Sequence, residues 1–227
     1  MPMILFESGM RKEVGYFLIG HGVLWLLGLT GLYVGYIGLL RRAKERDTAE
    51  TELTRLNNIL EEQATTDALT GIYNRRKFLE KLQEKILEAK RYKISMELLF
   101  IDIDHFKLVN DTYGHETGDN VLLEFTGIIT GMTRQSDVFA RLGGEEFVVL
   151  VQRNDNNTGR FLAEKIRSSV EQHSFQQVGT ITCSIGVAQH NETDTTESII
   201  KRADDAMYAA KQAGRNRVET SSASMEA

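Results

Sequence analysis

At 227 residues the chain is long enough for one large domain or for a domain with appendages. Its formal net charge is -5, with 26% charged and 41% hydrophobic residues, so most of it is ordinary soluble protein, and no nucleic-acid partner is indicated. The lone cysteine, Cys183, excludes an intrachain disulfide framework and any multi-cysteine metal site, and its apolar neighbours from Ile181 to Ala188 make it a buried small hydrophobe.

Residues 1–13 form a short tail. From Val14 to Leu40 there is no Asp, Glu, Lys or Arg, and this run is long enough to cross a bilayer of roughly 30 Å as a tilted helix. It is too long for the apolar region of a signal peptide, and no small-residue cleavage site precedes the charged segment. Tyr16, Tyr33 and Tyr36 lie towards its ends, as interfacial aromatics do. Gly31 and Gly35 form a small-residue pair suited to close helix contact. His21 reads either as a sensing residue or as a hydrogen-bonded bystander. Arg41, Arg42, Lys44 and Arg46 follow at once, against Arg11 and Lys12 before the span, which puts the C-terminal side in the cytoplasm.

Residues 41–66 are charged and free of glycine and proline, with Ala49, Leu53, Leu56, Leu60 and Ala64 recurring at steps of three and four. That spacing predicts a helical stalk, either a short parallel coiled coil or an amphipathic helix packed on its own domain.

Residues 67–219 have another composition. Asn74 is placed to cap a helix from Arg75 to about Lys90. Ser95 to Asp102 is a near-continuous apolar run, as in a strand buried on both faces. Asp104 is expected to cap a short helix through Val109. Asn110 to Asp119 reads as a polar loop before a helix from about Asn120 to Thr133. Two β-rich runs, Asp137 to Arg141 and Phe147 to Val151, flank Gly143 and Gly144, which predicts a hairpin. A helix from about Asn157 to Gln172, a strand from about Thr180 to Gln189 and a helix from about Glu197 to Ala213 follow; Gly214 stops the last. Residues 217–219 suit an edge strand, and residues 220–227 a disordered tail. The alternation defines an α/β domain with a mixed sheet flanked by helices.

Two acidic clusters carry the chemistry. Asp102 ends a buried strand with a costly charge, and Glu145 and Glu146 sit at the hairpin turn. Such clusters suit a hard cation and nucleotide phosphates. Lys107, Lys211 and Arg215 supply the positive complement, the last two four apart on one helical face. The residues alone point to metal-assisted phosphoryl or nucleotidyl transfer.

Arg141-Leu-Gly-Gly-Glu-Glu-Phe147 resembles the signature of the GGDEF family of diguanylate cyclases. Four further segments resemble that family in order: Asp67 to Arg76; Asp102 to Lys107 with Asn110 to His115 and Gly118-Asp119; Ser184 to Ala188; and Ala203 to Asn216. The resemblance covers roughly Asp67 to Val218 and is silent on residues 1–66. It implies a polymerase-palm or nucleotide-cyclase-like fold, and condensation of two GTP into cyclic di-GMP and two pyrophosphates across a dimer of half-sites. It implies bacterial second-messenger signalling, with control of biofilm and motility.

By the same resemblance, Asp102, the backbone carbonyl of Ile103, and Glu145 bind magnesium, for which manganese is a substitute. Asn110 and Asp119 read the guanine edge, and His115 lies near the nucleoside. Gly143 and Gly144 border the substrate, and Lys107, Lys211 and Arg215 neutralise its phosphates. Glu146 is the base or a second metal ligand for the 3′-hydroxyl, and Asp104 is a structural cap. Arg134 and Asp137 resemble the family's product-inhibition site; the arginine that completes it, Arg160, Arg167 or another, stays open. The expected protein is a single-pass enzyme of the bacterial inner membrane with a cytoplasmic catalytic domain, a homo-oligomer, with room for a regulatory protein on its stalk. The alternative is a silent module that binds GTP or cyclic di-GMP.

Overall fold

The computed structural model describes residues 21–46, 48, 52, 54, 65–153 and 158–221. The chain divides into two units, Met1–Leu60 and Glu61–Ala227. In the first, α1 runs His21–Arg46, 26 residues, long and apolar enough to cross a membrane. At 1.5 Å per residue it spans roughly 39 Å. Leu24, Trp25, Leu26, Leu27, Leu29, Leu32 and Val34 are all exposed on it. A helix that is apolar all round is ordinarily buried in protein or in lipid. The predicted seam from Ala49 to Ala64 lies outside the described residues.

The second unit is a mixed sheet between two helical layers. Its main elements are β1 (Tyr73–Asn74), α2 (Arg75–Tyr92), β2 (Ser95–Ile103), α3 (Phe106–Tyr113), α4 (His115–Thr130), β3 (Val138–Gly143) and β4 (Glu146–Arg153). They continue as α5 (Thr158–Gln172), β5 (Ser174–Phe175), β6 (Gly179–Thr180), β7 (Cys183–Gln189), α6 (Thr196–Gln212) and β8 (Val218–Thr220). The strand order is β1-β3-β4-β2-β7-β8, with β5 and β6 a separate pair. β2 lies at the centre, antiparallel to β4 and β7, while β1 and β8 add parallel edges.

Period-2 alternation sorts the strand residues into two cores. Leu99, Ile101 and Ile103 pack with Phe147, Val149 and α4–α5 residues such as Phe125, Ile129 and Ile166. Leu98 and Phe100 pack with Val148, Leu150, Phe78 and Leu82 of α2, and Ile199, Ala203 and Met207 of α6. Both faces of β2 are therefore dry, as its apolar run predicts. Cys183 is fully buried, and burial pushes its thiol pKa up.

Asn74 caps α2, accepting from the Lys77 N–H at 3.0 Å. Two expectations are corrected. Asn110 to Asp119 is not a loop: α3 and α4 run through it and meet at Gly114, whose φ of 85° makes the corner. The segment's polarity is that of an exposed helical face. Asp104 is not a helix cap either. His105 is the residue at the N-cap of α3, with no side-chain capping bond. Asp104 is buried and accepts hydrogen bonds from Thr182 Oγ1 and Ser184 Oγ, each at 2.7 Å, so it ties the end of β2 to β7.

Candidate active site

The register of the central strands builds the site. Asp102 stands opposite Glu146 on β4 and Ser184 on β7. Directly opposed residues of an antiparallel pair lie on one face, so the two carboxylates share the side covered by α2 and α6. The Gly143–Glu146 pairing leaves Gly144 and Glu145 as the turn, after a register shift beyond Arg141. Gly144 has φ 54°, which a side chain would strain. Arg141 locks that turn: its Nε and Nη2 donate to the Gly144 carbonyl at 3.0 and 2.8 Å. Its Nη1 donates to Asp67 Oδ1 at 3.1 Å. Burial raises the Asp67 pKa, but the bonds from Thr70 and Arg141 outweigh it and hold the carboxyl below its ordinary value.

α6 closes the site from above. Lys211 Nζ meets Asp102 Oδ2 at 2.7 Å. The other carboxylate oxygen, Asp102 Oδ1, is buried with no hydrogen-bond partner. Burial pushes the Asp102 pKa up, and the Lys211 contact only partly offsets it. Burial also raises Glu145 and Glu146, and the charge of Asp102 raises both further. Asp204, two turns before Lys211 on α6, is raised by its own burial and by Asp205, and its charge acts on Asp102 and Glu146. Neither the position of Asp204 at the site nor the clamp by Arg141 follows from the signature motif alone. The seven-residue step from Asp204 to Lys211 on a helix was the available sign.

The site therefore gathers acidic groups that repel one another around one lysine. A buried, unpaired carboxylate oxygen in that setting fits a divalent cation. Among the described residues, no three His, Cys, Asp or Glu side chains form a metal cage by themselves.

A second group forms where α3 meets α4. Asn110 lies directly over Gly118, so closely that a Cβ there would overlap its side-chain oxygen. Asp119 follows Gly118, His115 opens α4, and Lys107 lies in the first turn of α3; all three are exposed. Arg215 follows α6 with φ 62°. The Arg134 N–H donates to Asp137 Oδ2 at 2.8 Å and leaves the arginine side chain exposed. Arg167 is held by Glu164, Glu171 and Asn216.

A palm-like mixed sheet whose central strand ends in clustered carboxylates beside a lysine defines a nucleotide-cyclase-like domain. The family described as diguanylate cyclase, GGDEF domain, matches residues 64–217, and the chain belongs to it. Diguanylate cyclase DgcM of Escherichia coli K12 is 42% identical over 168 residues, covering 74% of this chain and 41% of DgcM. The chain thus spans less than half of that relative's length. The coiled coil and GGDEF domain of DgcB from Caulobacter crescentus, in complex with c-di-GMP, superposes with a TM-score of 0.74 at 34% identity. It covers 80% of this chain and 98% of that one. Diguanylate cyclase SiaD with its activator SiaC, from Pseudomonas aeruginosa, gives a TM-score of 0.67 at 31% identity over 96% of this chain and 85% of that one.

Proposed function

We propose that the chain is a membrane-anchored diguanylate cyclase that condenses two GTP into cyclic di-GMP and two pyrophosphates. The observation that carries this is the convergence of Asp102, Glu145 and Glu146 beside Lys211, with Asp102 Oδ1 unpaired, in a chain of this family. Asp102, the Ile103 carbonyl and Glu145 would hold magnesium, or manganese in its place. When bound, the ion offsets the carboxylate charge and polarises the triphosphate.

The rest is work for the chain's own residues. Lys107, Lys211 and Arg215 neutralise the phosphates as charge builds on the departing pyrophosphate. Glu146 takes the proton of the 3′-hydroxyl, or acts as a second ligand. That hydroxyl oxygen bonds to the α-phosphorus of the GTP on the partner domain as the bond to the β-phosphate oxygen breaks. Gly143 and Gly144 let the hairpin backbone approach the substrate closely. Asn110 and Asp119 pair with the guanine edge beside His115, so other bases leave polar groups unmatched. Each domain carries half of the chemistry, so activity needs a homodimer. Arg134 and Asp137 would bind cyclic di-GMP as a feedback inhibitor.

Gly118→Ala tests the guanine assignment. The new methyl would overlap Asn110 Oδ1 and press on its Cγ, while meeting no backbone atom among its nearest neighbours, so the strain falls on the Asn110 side chain. Losing one hydrogen-bonding partner of the base is expected to raise KM for GTP by about 10-fold or more with little change in Tm. An unchanged KM would exclude Asn110 from base reading.

The anchor is α1, with a single pass through the bacterial inner membrane and the catalytic domain in the cytoplasm. The stalk of residues 41–66 pairs two copies and offers a seat to a regulatory protein. SiaD's complex with its activator SiaC supports that kind of partner. Full-length protein in lipid nanodiscs, given GTP and magnesium, should release cyclic di-GMP and pyrophosphate in a 1:2 ratio, by the stoichiometry of the reaction. Polar replacement of Leu53, Leu56 and Leu60 together should lower activity at low protein concentration and spare it at high concentration. GTP or cyclic di-GMP binding with no product would establish the silent-module alternative instead.

A further inference from the structure

The chain leaves α6 through Gly214, Arg215 and Asn216, at φ 111°, 62° and 47°. Two successive side-chain-bearing residues in the left-handed region persist only where neighbours hold them. Here they are held from two sides. The Asn216 N–H donates to Asp104 Oδ2 at 3.1 Å, and Asp104 is fixed by Thr182 and Ser184. On the other side, Asn216 Oδ1 accepts from Arg167 Nη1 at 2.8 Å, and Asn216 Nδ2 donates to Glu171 Oε1 at 2.7 Å. Arg167 also reaches Glu171 Oε2 at 2.7 Å and Glu164 Oε1 at 2.8 Å. The turn is therefore tied to the strand end that carries Asp102 and to the C-terminal half of α5.

We propose that Asn216, with Arg167 behind it, is a positioning residue that aims the Arg215 guanidinium at the triphosphate. The proposal rests on the reading of Arg215 as a phosphate ligand. The side-chain bonds of Arg167 go to Glu164, Glu171 and Asn216, none of them an assigned substrate residue, and its link to Arg215 runs through Asn216. Lys211 keeps its own contact with Asp102 when the clamp is lost, so the loss falls on the part of affinity that Arg215 supplies.

The test is a double-mutant cycle in the full-length chain in lipid nanodiscs. The probes are GMP and a GTP analogue with an α,β-methylene bridge, which cannot release pyrophosphate. Arg167→Gln should weaken the analogue about tenfold, within the range for residues sharing one hydrogen-bond network. GMP affinity should stay the same, since GMP lacks the outer phosphates. On an Arg215→Ala background, Arg167→Gln should add nothing. Equal losses for GMP and analogue, or a full further loss on the Arg215→Ala background, would overturn the proposal. Glu171→Gln, at the outer edge of the same network, repeats the cycle if Arg167→Gln does not fold. Because the readout is binding, a protein that binds the analogue but makes no cyclic di-GMP would refute the enzyme reading and leave this one standing.

Discussion

Replacing Glu146 by Gln is expected to lower cyclic di-GMP formation by about 10²–10⁴-fold while raising the Tm of the metal-free protein. The two effects have one origin. Burial and the Asp102 charge hold the Glu146 pKa above its ordinary value, as they do for Glu145. A raised folded-state pKa means that the folded protein binds more protons than the unfolded chain in the window just above the ordinary carboxylate range. Stability falls as pH rises through that window, because the carboxylates ionise against one another. Gln removes the charge, so it stabilises at neutral pH and has less effect below the window. Thermal melts of wild type and variant from pH 4 to 8, without magnesium, read this directly. The variant's advantage should shrink as the pH falls. Added magnesium should raise the wild-type Tm and raise that of Asp102→Asn less, since binding stabilises in proportion to affinity. A variant less stable than wild type at every pH would show that Glu146 is held by favourable contacts, and would remove the strained carboxylate cluster from the mechanism.

The parts of this site that were legible in the sequence are those written in local pattern. The near-continuous apolar run into Asp102 marks a strand with both faces covered, and the glycine pair between two β-rich runs marks a hairpin. The register between those elements then brings Asp102 and Glu146 face to face. Asn74 announces its helix because capping is local chemistry. What the sequence concealed depends on contacts distant along the chain. Asp104 looks like a cap because it precedes a helix, but its partners are Thr182, Ser184 and Asn216. The polar stretch from Asn110 to Asp119 looks like a loop because two exposed helical faces meet at one glycine. Arg141 is conspicuous in its motif, yet its task, holding the Gly144 carbonyl and Asp67 together, emerges only when the first segment folds back beside β3. The small β5–β6 pair, with Gln177 at φ 66°, carries no apolar periodicity to reveal it.

Gly186→Ala is expected to be the most damaging single methyl in the domain. Gly186 lies inside β7 between Phe100 of β2 and Glu219 of β8. A Cβ there would overlap the Ala203 carbonyl oxygen and the Met207 amide nitrogen, and would come within 2.9 Å of the Ala206 carbonyl carbon. These are backbone atoms of α6, so no rotamer relieves the clash. Either the helix lifts from the sheet or the strand bows away. Overpacking of this kind costs about 1–3 kcal/mol, and more when backbone must move. For a domain of this size, a loss of about 3 kcal/mol lowers Tm by roughly 6–12 °C. The functional loss should exceed the stability loss, because α6 carries Lys211 against Asp102 and leads into Arg215. KM for GTP should therefore rise even at temperatures where the variant is fully folded. Gly127→Ala is the matched control. It lies on the exposed face of α4, where a Cβ meets nothing within 4 Å. Alanine is favoured over glycine inside a helix by about 0.5–1 kcal/mol, so this variant should be slightly more stable and kinetically unchanged. Equal melting temperatures for the two variants would mean that α6 does not rest on β7 at Gly186, and the placement of Lys211 over Asp102 would fall with it.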